Sequence, residues 1–285
     1  MSLTKADILH ATMLALNSVP QRVEGNLYRY SYTISPTYYG SSPPYTFFPI
    51  LTFGSGGGKV DWGDGTVSTY PGYRAYPSIN HTYPGSGEYT IVIVGDIQSI
   101  EPCDPHVGSN PELISVHTKL PKSMSYKTTM ARHFVGCTNL VSIPKGYFDV
   151  CKDTVTSFTD CFYQCYKLQS IPAGLFSGFS SVTSFYRCFY LCDLRSIPPD
   201  LFTGCVSAQS FYNCFYSNSR LAEIPAGLFN GCTGANNFSQ CFLNCSGVIS
   251  SVPELWVDYP DSSHSLCYGN CSNAANYADI PADWK

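Results

Sequence analysis

Charge is scarce in this chain. Asp, Glu, Lys and Arg make up only 13% of its residues, and the formal net charge is −4, where about a quarter charged is usual. Its Lys and Arg residues form no basic run, which excludes nucleic-acid binding, since neutralising phosphates takes clustered cations. Long apolar runs are also missing, so no segment is expected to insert in a membrane. Catalytic signatures are absent: no Gly-x-Ser-x-Gly elbow, no His-Glu-x-x-His and no phosphate-cradling Gly-Lys-Ser/Thr loop occurs. The histidines (His10, His81, His106, His117, His133 and His264) are scattered over unrelated stretches. The expectation is a protein without enzymatic activity, cofactor or metal.

Aromatic residues are abundant instead, at 15% with 22 Tyr and 17 Phe, beside 14 Cys. They recur with a period. A large apolar residue followed by Ile-Pro appears as Leu140-Val-Ser-Ile-Pro144, Leu168-Gln-Ser-Ile-Pro172, Leu194-Arg-Ser-Ile-Pro198 and Leu221-Ala-Glu-Ile-Pro225, and more loosely from Ile249 and Tyr277. From an opening copy at Leu113 the steps are 27, 28, 26, 27, 28 and 28 residues. Between these phrases stand Cys161-Phe-Tyr-Gln-Cys165, Cys188-Phe-Tyr-Leu-Cys192 and Cys241-Phe-Leu-Asn-Cys245, with variants from His133, Cys214 and Cys267. A third phrase gives Leu175-Phe-Ser-Gly-Phe179, Leu201-Phe-Thr-Gly-Cys205 and Leu228-Phe-Asn-Gly-Cys232. A fixed period of this size predicts a solenoid in which stacked coils share one core. A short strand is expected at each Leu-x-Ser-Ile and a turn at each proline.

These three phrases resemble the BspA-type leucine-rich repeats of bacterial surface proteins and phage tail proteins, over roughly residues 113–285. Upstream, Val60-Asp-Trp-Gly-Asp-Gly-Thr66 followed by His81-Thr-Tyr83 and Tyr89-Thr-Ile91 resembles the PKD-type immunoglobulin-like sandwich. The fold class is therefore mainly β with short helical segments: residues 1–24 an N-terminal helix or docking segment, 25–102 a PKD-like β-sandwich, 103–285 a capped leucine-rich-repeat solenoid. Within the sandwich, strands are expected near Tyr28–Ile34, Phe47–Phe53 and Tyr89–Val94, with Gly54–Gly58 a flexible loop. Ile97-Gln-Ser-Ile-Glu-Pro102 reads as a degenerate capping coil, and Tyr277 to Lys285 as the polar cap at the far end.

The cysteines do not pair simply. Cys137, Cys165, Cys192, Cys245 and Cys271 occupy one repeat position, and Asn218 fills it in the copy between. A buried structural ladder of free thiols accommodates such an exchange. Bonds between coils stay compatible with strand-like stacking, whose spacing of about 4.7–4.9 Å lies within disulfide reach. Asp61, Asp64 and His81 invite a metal, but Asp and Gly at this spacing are what a tight turn requires. His133 and Cys137 invite a nucleophile pair, but they sit in the structural Cys-Phe-x-x-Cys register.

Tyrosine carries the functional signal. Tyr163, Tyr190 and Tyr216 share one repeat position, Tyr186 and Tyr212 another, and Tyr166 lies nearby. Stacked coils place them in rows, as a surface for sugars or proteins or as rings that pack on one another; both readings stand. Val141, Gln169, Arg195 and Ala222 fall on the opposite face and are chemically mixed. The resemblance implies a binding protein: a phage virion tail or decoration protein, assembled in the bacterial cytoplasm and exposed for host attachment. Its partners would be a host-surface glycan or protein and, through residues 1–20, other virion proteins; self-association would add avidity. No signal peptide or wall anchor is recognisable. The alternatives are a secreted or surface-bound bacterial adhesin and an accessory module of a glycan-active enzyme.

Overall fold

The computed structural model describes residues 22–23, 27–35, 45–47, 49–75, 78–102 and 110–285. The expected helix over residues 1–20 lies outside them. Among the described residues the fold is mainly β, with one short α-helix, α1 (Leu255–Asp258), and a few 3-10 turns.

The N-terminal half is an antiparallel sheet. Its strands are β1 (Arg22–Val23), β2 (Leu27–Ile34), β4 (Ile50–Asp61), β5 (Val67–Tyr70), β6 (Arg74–Ala75) and β8 (Tyr89–Glu101), while β3 (Tyr45–Phe47) and β7 (His81–Tyr83) form a separate pair. The sheet runs β1-β2-β8-β4-β5, with β6 also on β4. Ile93 and Ile97 of β8 lie beside Val60 and Phe53 of β4, and with Ile91 and Trp62 they share one core, all fully buried. Trp62 ties itself down through its indole N–H to Ser68 at 2.9 Å, and its carbonyl accepts the Tyr83 hydroxyl at 3.0 Å.

Two expectations fail here. The stretch Gly54–Gly58 is not a loop but the middle of β4, where the pairing to β8 shifts register between Phe53 and Gly58. It is a bulge, and glycine is needed for it: a Cβ on Gly58 would meet the Phe53 ring at 2.2 Å. Likewise Ile97–Glu101 is no capping coil. It is the end of β8, paired with β4 from Ile50 to Phe53.

The first repeat copy joins the sheet directly. Strand β9 (Leu113–Val116), the opening repeat copy, pairs antiparallel with β2 through Tyr32↔Val116, and its Ser115 forms a parallel bridge to Ser142 of the next copy. Beneath this seam lies a buried polar chain. The Tyr30 and Tyr147 hydroxyls meet at 2.8 Å, Tyr147 meets His133 Nε2 at 2.9 Å, and His133 Nδ1 meets Glu101 at 3.2 Å, with Lys127 also on Glu101. Burial alone would raise the Glu101 carboxyl, but the hydrogen bonds and charges of His133 and Lys127 hold it down at about 2.

Successive coils then lie side by side in parallel, yet Leu-x-Ser-Ile forms a strand only in the opening copy. Later copies keep single bonds there, such as Arg195 N–H to the Gln169 carbonyl at 3.0 Å and Ala222 N–H to Arg195 at 3.3 Å. The denser ladder runs through the Cys-Phe-x-x-Cys segment. The N–H groups of Phe158, Asp160, Phe162 and Gln164 donate to Ser184, Tyr186, Cys188 and Tyr190 in the next coil. The alternate N–H groups of Cys161, Tyr163 and Cys165 close tight turns within their own coil. This alternation demands left-handed backbone at two positions per coil: Asp160 and Gln164, Arg187 and Leu191, Asn213 and Ser217, Gln240 and Asn244 all have φ between 50° and 65°. Left-handed backbone costs such residues about 1–2 kcal/mol each, offset by pairing the ladder N–H groups alternately across and within coils.

Inside, phenylalanines stack in columns. One runs Phe134, Phe162, Phe189, Phe215, Phe242, Tyr268 at 5.1–5.7 Å between centroids. A second runs Phe158, Phe185, Phe211, Phe238. The loose copy at Ile249 is corrected by one residue: Val248 is the buried lead, and Ile249 is 69% exposed. At the far end the Trp284 carbonyl accepts the Tyr268 N–H at 2.8 Å while its ring stacks on His264 at 4.2 Å.

Candidate functional site

The ladder geometry sets the surface chemistry. The left-handed residue at Asp160, Arg187 and Asn213 follows the tyrosine position of one row and precedes that of the other by three, so parallel coils align two tyrosine rows along one flank. Tyr163, Tyr190 and Tyr216 stack at 4.8 and 4.5 Å with ring planes within 11°, and Tyr186 stacks on Tyr212 at 5.4 Å. Arg187 stands between the rows, its guanidinium 5.1 Å from the Tyr163 ring and 4.6 Å from Tyr186. Asp160 pins it, with Nη2 donating to Oδ2 at 2.9 Å and Nε 2.8 Å from Oδ1. Burial would lower the Arg187 pKa, but this hydrogen bond and charge raise it instead. Partial burial, then the neighbouring Tyr216 and Tyr163, push the Tyr190 phenol up. The structure thus brings together five of the six expected tyrosines. Tyr166, 47% exposed, stands outside both rows.

No family model matches this sequence, and no curated protein or solved structure matches it. The reading of the flank therefore rests on its own geometry.

The thiol position is a hydrogen-bonding position. Cys165, Cys192, Cys245 and Cys271 each donate S–H to a phenylalanine carbonyl of the preceding coil (Phe134, Phe162, Phe215 and Phe242) at 3.1–3.2 Å. Asn218 does the same with its amide, to Phe189 at 2.8 Å. What Cys and Asn share at this position is a hydrogen-bond donor aimed at the preceding coil. Among the described residues every cysteine, Cys137 included, is an unbridged buried thiol. Burial pushes Cys151, Cys205, Cys232 and Cys271 up to about 12.

The other candidate groups are occupied by the fold. Asp64 accepts from Thr66 at 3.0 and 2.7 Å and pairs with His81 at 2.7 Å, and Asp61 accepts the Gly63 N–H at 3.0 Å. Both nitrogens of His133 are engaged in the seam, by Glu101 and Tyr147. Among the described residues no group of three His, Cys, Asp or Glu is placed to hold a metal ion, and no helix is long and apolar enough to cross a membrane. Val141, Gln169, Arg195 and Ala222 are exposed.

Flank residues that the sequence did not single out are Arg187, Asp160, Asn213, Asn244 and Asn270. Their repeat positions tolerate Arg, Asp, Asn, Gln and Leu, which disguised them as variable surface. Their common signal, left-handed backbone, is invisible in side chains as different as Arg187 and Leu266.

Proposed function

We propose that this chain works by binding and not by chemistry: a PKD-like sandwich carrying a BspA-type leucine-rich-repeat solenoid, displayed on a phage virion as a tail or decoration protein for attachment to the host surface. The supporting observation is the flank of aligned tyrosines, repeated coil after coil around a pinned Arg187. A rigid array on stacked coils suits multivalent surface contact better than turnover. Buried thiols that donate to carbonyls suit a protein that folds in a reducing compartment, as virion proteins made in a bacterial cytoplasm do.

The test is a pull-down of whole bacterial cells and of purified virus particles with the intact chain, a Tyr190→Ala/Tyr216→Ala variant, and a chain lacking residues 1–20. The reading expects cell binding that the tyrosine variant loses, and particle binding that depends on the first 20 residues. Particle binding with no affinity for cells would make the protein a structural decoration alone. Binding to neither would overturn the proposal.

A further inference from the structure

The tyrosine rows use up their own ring faces. In the longer row Tyr190 is sandwiched between Tyr163 and Tyr216 at 4.8 and 4.5 Å, and Tyr186 and Tyr212 cover one another. The Arg187 guanidinium covers more of Tyr163 and Tyr186. A half-buried ring stacked on its neighbours meets solvent with its edge and hydroxyl. These rows are therefore not platforms for face-on stacking of a ligand. They are lines of hydroxyls spaced one coil apart.

The line continues past the tyrosines in amides. Asn244 donates through Nδ2 to the Tyr216 hydroxyl at 3.2 Å and the Ser217 hydroxyl at 3.3 Å, and Asn270 donates to Asn244 Oδ1 at 2.6 Å. Tyr163, Tyr190, Tyr216, Asn244 and Asn270 thus set a hydroxyl or amide on each of five successive coils. Between the two rows Asn213 is buried, its Oδ1 without a hydrogen-bond partner. The cation there is neutralised, because Arg187 is held by Asp160.

Two ligand classes fit this surface poorly. An acidic polymer requires unpaired cations, and the one between the rows is paired. A protein partner anchors on an apolar centre that loses its water, whereas none of the five rings ranks with the strongly exposed apolar side chains such as Val141, Tyr166 or Ile249. A periodic, neutral row of donors and acceptors matches a polymer that is itself periodic, neutral and rich in hydroxyls.

We infer that this flank binds a neutral glycan chain lying along the stack, held by hydrogen bonds from the tyrosine hydroxyls and from Asn244 and Asn270. The inference rests on the binding reading above and names its ligand class. The decisive variant is Tyr190→Phe/Tyr216→Phe, which keeps both rings and their stacking and removes only the hydroxyls.

The experiment measures retention of the full chain on dextran, mannan and galactan, with alginate and polygalacturonate as acidic counterparts. Melting curves check that the Phe variant folds. The expected result is binding to at least one neutral polysaccharide, insensitive to salt and weakened at least about tenfold in the Phe variant, for two hydrogen bonds lost. Tightest binding to an acidic polymer, abolished by salt, would overturn the inference, as would a Phe variant that binds like the parent. Cell binding that survives periodate oxidation of surface glycans but not protease would overturn it and leave the attachment reading standing. Absence of any cell binding would remove the attachment reading itself.

Discussion

Asn218 accepts the backbone N–H of Leu194, in the preceding coil, on its side-chain Oδ1 at 3.1 Å. In neighbouring coils the equivalent N–H closes a turn within its own coil, as Leu168 does to Cys165 at 2.9 Å and Leu221 to Asn218 at 3.0 Å. Those pairs are three residues apart, but Leu194 follows Cys192 by only two. This missing residue makes the 26-residue step, and the asparagine one coil later repairs it. The coil with an extra residue after Val248 is repaired the same way: Asn276 accepts the Val252 N–H at 2.9 Å and donates to its carbonyl at 3.1 Å.

Asn218→Cys should therefore destabilise, although cysteine fills this position in most coils. It leaves the buried Leu194 N–H unpaired, at a cost of about 1–3 kcal/mol. Inserting one residue between Cys192 and Leu194 in that background should recover much of the loss. Urea unfolding of the two single changes and the double change measures the coupling; strictly additive effects would refute the repair.

The seam should fail in acid. The Glu101 carboxyl is depressed to about 2 in the folded chain, against 4.5 for an unperturbed Glu. The stability it contributes is complete above pH 4.5 and is lost as pH falls toward 2, on the order of 3 kcal/mol. Glu101→Gln should be less stable than the parent at pH 6, and the two should converge near pH 2. A difference that does not change with pH would count against the His133–Glu101–Lys127 linkage.

Glu112 should act with the opposite sign. Burial pushes its carboxyl up to about 7, so ionising it costs stability as pH rises from 4.5 to 7. Glu112→Gln is expected to stabilise the protein by about 3 kcal/mol at pH 8 and hardly at all at pH 4. Equal melting temperatures of parent and variant at pH 8 would contradict this.

Thiol labelling should be all-or-none. The thiolate is the reactive species, and burial disfavours it in Cys165, Cys188, Cys214, Cys241 and Cys267. Iodoacetamide at pH 8 should leave these positions unmodified in the native protein and modify all of them in guanidinium chloride. Peptide mapping that finds any of the five alkylated in the native state would contradict the burial.

Trp284→Ala should loosen the end of the stack without touching the sheet. It removes a ring that is 3% exposed and stacked on His264, a loss of about 3–5 kcal/mol if felt globally. In a stack each coil leans only on its neighbours, so hydrogen exchange should quicken at Tyr268 and Cys271 and stay unchanged at Ile91 and Ile93. Uniform acceleration would show that stack and sheet unfold as one unit.

The period, the buried Leu140, Leu168, Leu194 and Leu221 and the shared position of Cys165 and Asn218 were all legible in the sequence, because apolar recurrence reports burial directly. What escaped depended on distant pairing or on backbone sign. Gly54–Gly58 has the composition of a loop, and only pairing with β8 makes it a bulge. Ile97 to Pro102 repeats the spacing of the coils, yet β4 claims it as sheet. The tyrosine rows were expected, with ring packing one of two open readings: the rings do stack, which turns the faces inward and changes the chemistry the flank offers.

The ladder through Phe158, Asp160, Phe162 and Gln164 aims its N–H groups along the stack toward the next coil, and this has a mechanical consequence. Tension on the C-terminus, with the sheet held fast, loads the bonds of one coil at a time instead of shearing all of them together. Coils should peel off in sequence from the Trp284 end at modest force, each adding its own contour length to the tether. A chain fixed at one end and gripping with its flank would thus lengthen stepwise under drag before the grip is stressed.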